Sequence, residues 1–217
     1  MKDINHLKSI TYSIDDALKA AGMEGLDRQV SARFESYLEL ILRWNARTNL
    51  TAVRDPEGII QRHFLESIAC ARMLPVGIAT LLDFGSGAGF PGIPIALCRP
   101  EISVTLAESQ GKKAAFLQEA VRELELKARV FAGRAETLSD KFDCVTLRAV
   151  DRMEHAIQAA GTLVRLGGRL APMTTTSNLP KLQSVHSSLF QFFLHQAKSL
   201  PVYCRQLLLL QTCHFLV

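Results

Sequence analysis

The chain has 217 residues, with 25 basic and 21 acidic side chains, a net charge of +4 and 48% apolar residues. That composition supports an ordinary packed core and excludes a disordered, collagen-like or coiled-coil chain. The charge is placed unevenly: residues 1–79 hold ten basic and ten acidic side chains, and beyond Glu154 every formal charge is positive.

The five cysteines, Cys70, Cys98, Cys144, Cys204 and Cys213, are widely spaced, odd in number and form no CxxC pair. They read as free thiols, and no metal site is expected. The first residues, MKDINHLKSITYSIDD, lack the apolar stretch of a signal peptide. No window reaches the ~18 uninterrupted apolar residues of a membrane span, so a cytoplasmic protein without a membrane partner is the expectation; a monomer is expected as well.

Ser13 with Asp15 and Asp16 predicts a helix start, and Gly22 and Gly25 mark its end. Val30, Phe34, Tyr37, Leu38, Ile41 and Leu42, at steps of three and four, predict an amphipathic helix beginning after Asp27 or Ser31. Asp55-Pro56 predicts a turn into another helix, whose apolar positions Ile59, Ile60, Phe64, Ile68 and Ala69 repeat as far as Leu74-Pro75. One compact unit is expected, made of a helical extension, residues 1–76, and a domain over residues 77–217; a boundary, if there is one, falls between Leu74 and Thr80.

From Thr80 onward short apolar runs alternate with helical stretches. The runs are Leu81 to Phe84, Ile102 to Ala107, Arg129 to Ala132, Cys144 to Leu147 and Arg169 to Met173. The helical stretches are Ile93 to Cys98, Lys112 to Leu124 and Met153 to Leu166. This alternation predicts a parallel sheet covered by helices on both faces. After Pro180 a helix over Lys181 to Leu189 is predicted. Two runs then follow, Phe192 to Ala197 and Gln206 to Gln211, as an antiparallel pair at the sheet edge.

The strongest local signal is Leu81-Leu82-Asp83-Phe84-Gly85-Ser86-Gly87-Ala88-Gly89-Phe90-Pro91-Gly92, a strand entering a glycine-rich turn before a helix. Glycines there permit positive φ and a close ligand, and the helix start offers free N–H groups. Glu108, 23 residues after Gly85, stands near the ~20-residue offset at which an acid accepts from ribose hydroxyls, so the guest is a nucleoside-containing cofactor. Two classes compete. Gly87-x-Gly89-x-x-Gly92 formally satisfies the dinucleotide fingerprint, but Pro91 and Pro94 interrupt the helix that fingerprint requires. Asp83-x-Gly85-x-Gly87-x-Gly89 places an acid at the strand end, facing the crevice where the amine of S-adenosylmethionine would lie. A tight turn with no ligand is the bland reading.

Ala135-Glu136 follows the third strand, where a residue flanks the adenine of such a cofactor; a solvated acid at a helix start is the alternative for Glu136. Arg148, at the carboxyl end of the fourth strand, is placed to pair with a cofactor carboxylate, a phosphate or a guanine edge, or else with Asp151 on the surface. The fourth strand carries neither the polar-Pro-Pro-aromatic loop that holds an exocyclic amine nor the Pro-Cys of cytosine C5 chemistry. An accessible lone pair such as guanine N7 needs neither, and alignment alone supplies much of the rate.

The runs Leu42-Arg43-Trp44-Asn45, Asn49-Leu50-Thr51-Ala52-Val53-Arg54-Asp55-Pro56, Arg62-His63-Phe64-Leu65-Glu66-Ser67 and Asp83 to Pro94 together resemble the glucose-inhibited division protein B family. These are bacterial methyltransferases acting on guanine N7 of small-subunit (16S) ribosomal RNA with S-adenosylmethionine as donor. The resemblance runs from Leu38 to Leu170 and resumes at Arg205-Gln206-Leu207. It implies an α/β fold: a Rossmann-like class I methyltransferase sheet with an antiparallel C-terminal edge strand and a helical N-terminal extension. It also implies cofactor contacts at Gly85, Phe90, Ala135, Glu136 and Arg148, with Asp83, Gly87, Gly89 and Glu108 lining the same crevice. Arg148 is the residue expected to act in catalysis, organising the cofactor tail or the target base. The partner implied is small-subunit ribosomal RNA or the small ribosomal subunit. Trp44, Asn45, Asn49, Arg54, Arg62 and His63 would pack beside the crevice, where some of them would touch RNA; for Trp44 and His63 the alternative, and the favoured reading, is that they pin the extension to the sheet through packing and hydrogen bonds.

The chain departs from the family at Glu66 and Glu108, where aspartate is usual, and at Met173-Thr174-Thr175-Thr176, where a Lys-Gly pair is typical. If that lysine contacts phosphate in the family, RNA affinity here is weaker or comes from elsewhere, such as Lys112, Lys113, Arg134 or Arg152. A member of the same fold acting on a protein or small molecule, or a non-catalytic RNA binder, is the alternative.

Overall fold

The computed structural model describes residues 13–148, 153–173, 190–193 and 209–212. Helix α1 (Ile14–Ala20) starts where Ser13 accepts the Asp15 N–H in its side chain. Helix α2 (Arg28–Asn45) is capped by Asp27, whose carboxylate accepts the Gln29 N–H. Of the two candidate starts, Asp27 therefore caps the helix, and Ser31 lies inside it, donating its hydroxyl to Asp15 at 2.8 Å. The predicted apolar stripe faces inward, with Phe34, Tyr37 and Ile41 fully buried.

Helix α3 (Pro56–Ile59) has proline in its first turn and Asp55 as its cap. It runs into a π-helical turn (Ile60–Phe64) and then α4 (Leu65–Met73). One expected helix is thus three continuous segments. The π-turn is the irregular step, a feature that recurs at functional sites because it re-aims the side chains of a helix.

The sheet contains β1 (Thr80–Phe84), β2 (Ser103–Glu108), β3 (Ala128–Ala132), β4 (Phe142–Arg148) and β5 (Val164–Met173). Between them lie α5 (Gly92–Cys98), α6 (Gly111–Glu123) and α7 (Met153–Thr162). The strand order is β3-β2-β1-β4-β5, all parallel, with Leu82 opposite both Thr105 and Val145. Helix α7 ends at Thr162 instead of continuing to Leu166, because Val164 is recruited into β5 opposite Phe142 and Gly167 takes a φ of 76°. A β-branched residue and two glycines in succession favour that exit. Beyond β5 lie β6 (Phe190–Phe193) and β7 (Leu209–Thr212), with β7 antiparallel to both β5 and β6. The helix expected over Lys181 to Leu189 lies outside the described residues.

Strand alternation divides the core. Leu81, Val104 and Leu106 face one side with α2, α4, α5 and α6, while Leu82, Ala107, Val145 and Leu147 face the other with α7. The first cluster runs without a break from Ile14 and Leu18 of α1 to Phe116 and Leu117 of α6, so the amino-terminal helices and the sheet share one interior. Among the described residues, no helix is long and apolar enough to cross a membrane.

Candidate functional site

A crevice of about 1000 Å³ opens at the carboxyl ends of the parallel strands. The strand order reverses between β1 and β4, and there the connections leave toward opposite faces and open a gap, the place where open α/β sheets bind ligands. The floor is the turn after β1, with Gly85, Ser86, Gly87, Ala88 and Phe90. The flanks are Ala107, Glu108, Ser109 and Gln110 after β2, and Gly133, Arg134, Ala135 and Glu136 after β3. Arg148 and, from α7, His155 and Ala156 complete the sheet side. Leu50 to Val53, in the loop between α2 and α3, and Arg62 and His63 of the π-turn form the opposing wall.

The turn keeps its shape through the backbone. Gly85, Gly87 and Gly89 have φ of 71°, 58° and 91°, the left-handed region that a Cβ disfavours. A Cβ at Gly87 would meet nothing nearer than 4.0 Å, so the chain there presents open main chain to a ligand. Gly89 differs. It does not line the crevice, and a Cβ on it would come within 2.7 Å of the Tyr37 hydroxyl and 2.5 Å of Ile93. Its role is to let the turn seat on α2 and α5.

Asp83 corrects a sequence expectation. It was expected to face the crevice; instead it is completely buried beneath the turn and is absent from the crevice wall. One oxygen accepts the Gly92 N–H at 3.1 Å and the other the Thr146 hydroxyl at 2.9 Å. Asp83 shares a strand face with Leu81, which packs in the core cluster together with α5, and that alternation turns its side chain under the helix. Burial raises its pKa from 3.8 to about 6, against the pull of the Thr146, Ser86 and Gly92 donors. Asp83 therefore ties β1, β4 and the start of α5 together from beneath the turn.

Glu108 does line the crevice. Its two oxygens accept the Gly87 N–H at 2.9 Å and the Gln110 N–H at 2.7 Å, which fixes the carboxylate over the turn. Each carboxylate oxygen has a second lone pair, so acceptors remain for a ribose diol. Ala135 and Glu136 stand in a 3₁₀ turn (Ala135–Thr137) on the same wall. Glu136 makes only a long 3.4 Å contact with Arg134, and both are solvated enough that the pair contributes little stability.

Arg148 is held from the helical side. Its Nη2 donates to the Arg62 carbonyl at 2.6 Å and to His63 Nδ1 at 2.9 Å, and lies 2.8 Å from a Glu66 oxygen. Arg148 thus forms a buried pair with Glu66, and Asp151, the partner weighed from sequence, lies outside the described residues. Nη1 is buried without a partner among the described residues. Burial pushes the Glu66 carboxyl upward, and the Arg148 charge pulls it back. Burial, then the Arg148 charge, depress His63 to about 4, so the imidazole is neutral at physiological pH. Its ring lies 4.8 Å from that of Phe90 in the glycine turn, and Trp44 packs edge-on against Phe116 of α6 at 5.6 Å, so both residues pack the extension against the rest of the protein.

Of the expected cofactor residues, Gly85, Gly87, Phe90, Glu108, Ala135, Glu136 and Arg148 meet at the crevice, and Asp83 and Gly89 support it from below. The sequence reading missed Tyr37, seen there only as part of an apolar stripe. Its hydroxyl donates to the Ala88 carbonyl at 2.5 Å. The available signal was the residue type, since a buried tyrosine hydroxyl must find a partner. Lys112 lies off the crevice and Lys113 on its wall, while Arg152 and Thr174 to Thr176 fall outside the described residues.

The donor set fits S-adenosylmethionine: exposed glycine backbone for the amino-acid part, the anchored Glu108 carboxylate for the ribose, and Ala107 and Ala135 as apolar walls for the base. A family model described as rRNA small subunit methyltransferase G matches residues 30–206. Ribosomal RNA small subunit methyltransferase G of Xanthomonas euvesicatoria pv. vesicatoria is 43% identical over 176 residues, which is 80% of this chain and 81% of that protein. Its counterpart in Xanthomonas campestris pv. campestris is 46% identical over the same shares. Among solved structures, the Thermus thermophilus 16S rRNA N2 G1207 methyltransferase in complex with AdoMet and guanosine superposes with a TM-score of 0.52. At 21% identity, covering 75% of this chain and 44% of that one, it shares the fold. The family match over most of the chain, the relatives of similar length and the glycine-turn crevice agree, and the chain belongs to the rRNA small subunit methyltransferase G family.

Proposed function

We propose that the protein transfers a methyl group from S-adenosylmethionine to guanine N7 of small-subunit (16S) ribosomal RNA. The observation that carries this reading is a nucleoside-sized crevice with an anchored ribose acceptor and no cysteine among the described residues of its wall. Cys144 lies buried in the middle of β4 with its thiol pushed up to about 12, and His63 is engaged on both ring nitrogens. When bound, the donor supplies a methyl group on a sulfonium whose departure leaves a neutral thioether. Guanine N7 attacks with its lone pair and loses no proton, so the protein needs to orient and desolvate rather than to remove a proton.

The residues divide that work. Glu108 and the Gly85 to Gly87 main chain orient the donor. Arg148 organises the donor tail or the target base from the end of β4. Arg62, Lys113 and Arg134 line the crevice with positive charge for the RNA backbone. Their local action makes a net charge of +4 sufficient, since phosphate attraction is screened within ~8 Å at physiological salt.

A cytoplasmic monomer is the form we assign. Its support is the self-contained core, with Val76 and Leu166 the exposed large apolar side chains among the described residues. The test is transfer of labelled methyl from the donor to isolated small subunits and to their naked RNA, followed by mapping of N7-methylguanosine in cells with and without the gene. Label in RNA at one guanine N7 is the expected result. Label only in protein, or none despite donor binding, overturns the reading.

A further inference from the structure

We propose that Thr51 and His63 are positioning residues for methyl transfer, forming a hydrogen-bond chain that fixes the Arg148 guanidinium in the crevice wall. The proposal rests on the reading above and adds to it how the amino-terminal helices take part in the reaction.

The polarity of the chain follows from its chemistry. A guanidinium only donates, so His63 Nδ1, 2.9 Å from Arg148 Nη2, must accept. The imidazole proton then sits on Nε2, which lies 2.9 Å from Thr51 Oγ1 and donates to it. Thr51 Oγ1 also accepts the Val53 N–H at 3.2 Å, which keeps an acceptor facing the ring. The far end of the chain is anchored by Asn45, buried at the end of α2. Its Oδ1 accepts the Leu50 and Thr51 N–H groups at 3.1 and 3.2 Å, and its Nδ2 donates to the Val53 carbonyl at 3.1 Å. One asparagine thus holds the segment that holds the histidine that holds the arginine.

A purely stabilising network would distribute acceptors over the whole guanidinium. Here the Arg62 carbonyl and His63 Nδ1 accept from Nη2 and a Glu66 oxygen pairs with it at 2.8 Å, while Nη1 is buried without a partner among the described residues. Leaving a buried donor bare is costly, more so for a charged group, a cost consistent with holding one pose for function. The π-turn supplies this geometry, since it carries the Arg62 carbonyl and the His63 ring into the same wall. Phe90 of the glycine turn completes the seat, with the His63 ring at 4.8 Å and the guanidinium carbon at 5.9 Å from its centroid. Burial and the Arg148 charge keep the ring neutral, as the acceptor role of Nδ1 requires.

The experiment compares Thr51→Val, which keeps shape and removes the acceptor, with Thr51→Ser, which keeps the acceptor. Full-length variants are assayed for methyl transfer to small subunits, and the His63 tautomer is read by ¹⁵N NMR of histidine-labelled protein. Thr51→Val is expected to lower transfer by about tenfold to a hundredfold, the scale of a reacting group misplaced by an ångström, and Thr51→Ser to stay near wild type. In an Arg148→Lys background the same Thr51→Val change is expected to cost less than about twofold, because its effect passes through the guanidinium. NMR is expected to show the Nε2–H tautomer in the wild type and a mixture in Thr51→Val.

Full activity of a folded Thr51→Val variant, a serine variant as poor as the valine one, an undiminished loss in the Arg148→Lys background, or a wild-type His63 protonated on Nδ1 would each overturn the proposal. If the wild type labels no RNA, the functional reading fails, and the tautomer measurement still decides the chain.

Discussion

Tyr37→Phe removes one oxygen from the centre of the protein and tests how the helical extension shapes the cofactor turn. The Tyr37 ring is fully buried, stacks on Phe64 at 5.4 Å with 9° between planes, and lies 5.5 Å from Phe90. Phenylalanine keeps all those contacts and opens no cavity larger than the lost oxygen. What disappears is the hydrogen bond from the hydroxyl to the Ala88 carbonyl, which belongs to the crevice floor. A buried carbonyl stripped of its donor costs about 1–3 kcal/mol. Folding must bear that cost, so urea unfolding should show a stability loss of that size. The turn can relieve it by moving Ala88 toward water, and every ~1.4 kcal/mol of bias against the binding pose weakens donor affinity about tenfold. Calorimetric titration with S-adenosylhomocysteine should therefore report affinity lower by roughly five- to a hundredfold. Burial holds the Tyr37 phenol well above its ordinary pKa of 10.0, so the effect should not vary across the neutral pH range. A variant with less than about 0.5 kcal/mol lost and affinity within about twofold of wild type would refute the coupling of α2 to the turn.

Three further outcomes are expected. Asp83 binds its proton more tightly folded, with a pKa of about 6 against 3.8, so stability should fall as pH rises through that window. Two pKa units at about 1.4 kcal/mol each amount to roughly 3 kcal/mol, visible as the difference between wild-type and Asp83→Asn urea midpoints from pH 4 to 7.5; parallel curves would sink the assignment. Gly89→Ala places a Cβ at φ 91° and within 2.7 Å of the Tyr37 hydroxyl, and should cost more than about 2 kcal/mol together with donor binding, measured by the same two methods. Arg148→Ala should abolish methyl transfer while circular dichroism still reports a folded protein. It strands Glu66, 11% exposed, at about 3–5 kcal/mol, so Arg148→Ala with Glu66→Gln should recover stability and not activity; full activity in the single variant would remove Arg148 from the site.

What could be read from the sequence was what depends on neighbours along the chain. The stripe of α2, the Asp55-Pro56 helix start, the alternation of buried runs with helices, and the glycine turn with its acid 23 residues on all express local steric and periodic rules. Where the reading missed a boundary, as at α7, a partner strand outbid local helix preference: Val164 pairs with Phe142, 22 positions away. The orientation of Asp83 was partly legible, since it shares a face with buried Leu81, but only the docking of α5 over that face shows that Gly92 consumes the carboxylate.

The sequence by itself determined the class of fold, the cofactor turn and the family motifs, because backbone conformation and binary pattern are set within a few residues. The tertiary structure alone decided what Arg148 and the turn lean on. His63 lies 85 positions from Arg148, and Tyr37 lies 51 from Ala88. No local rule links residues so far apart; packing the amino-terminal helices against the sheet brings them within hydrogen-bonding range, and a hydrogen bond is fixed only once both partners have a place in space.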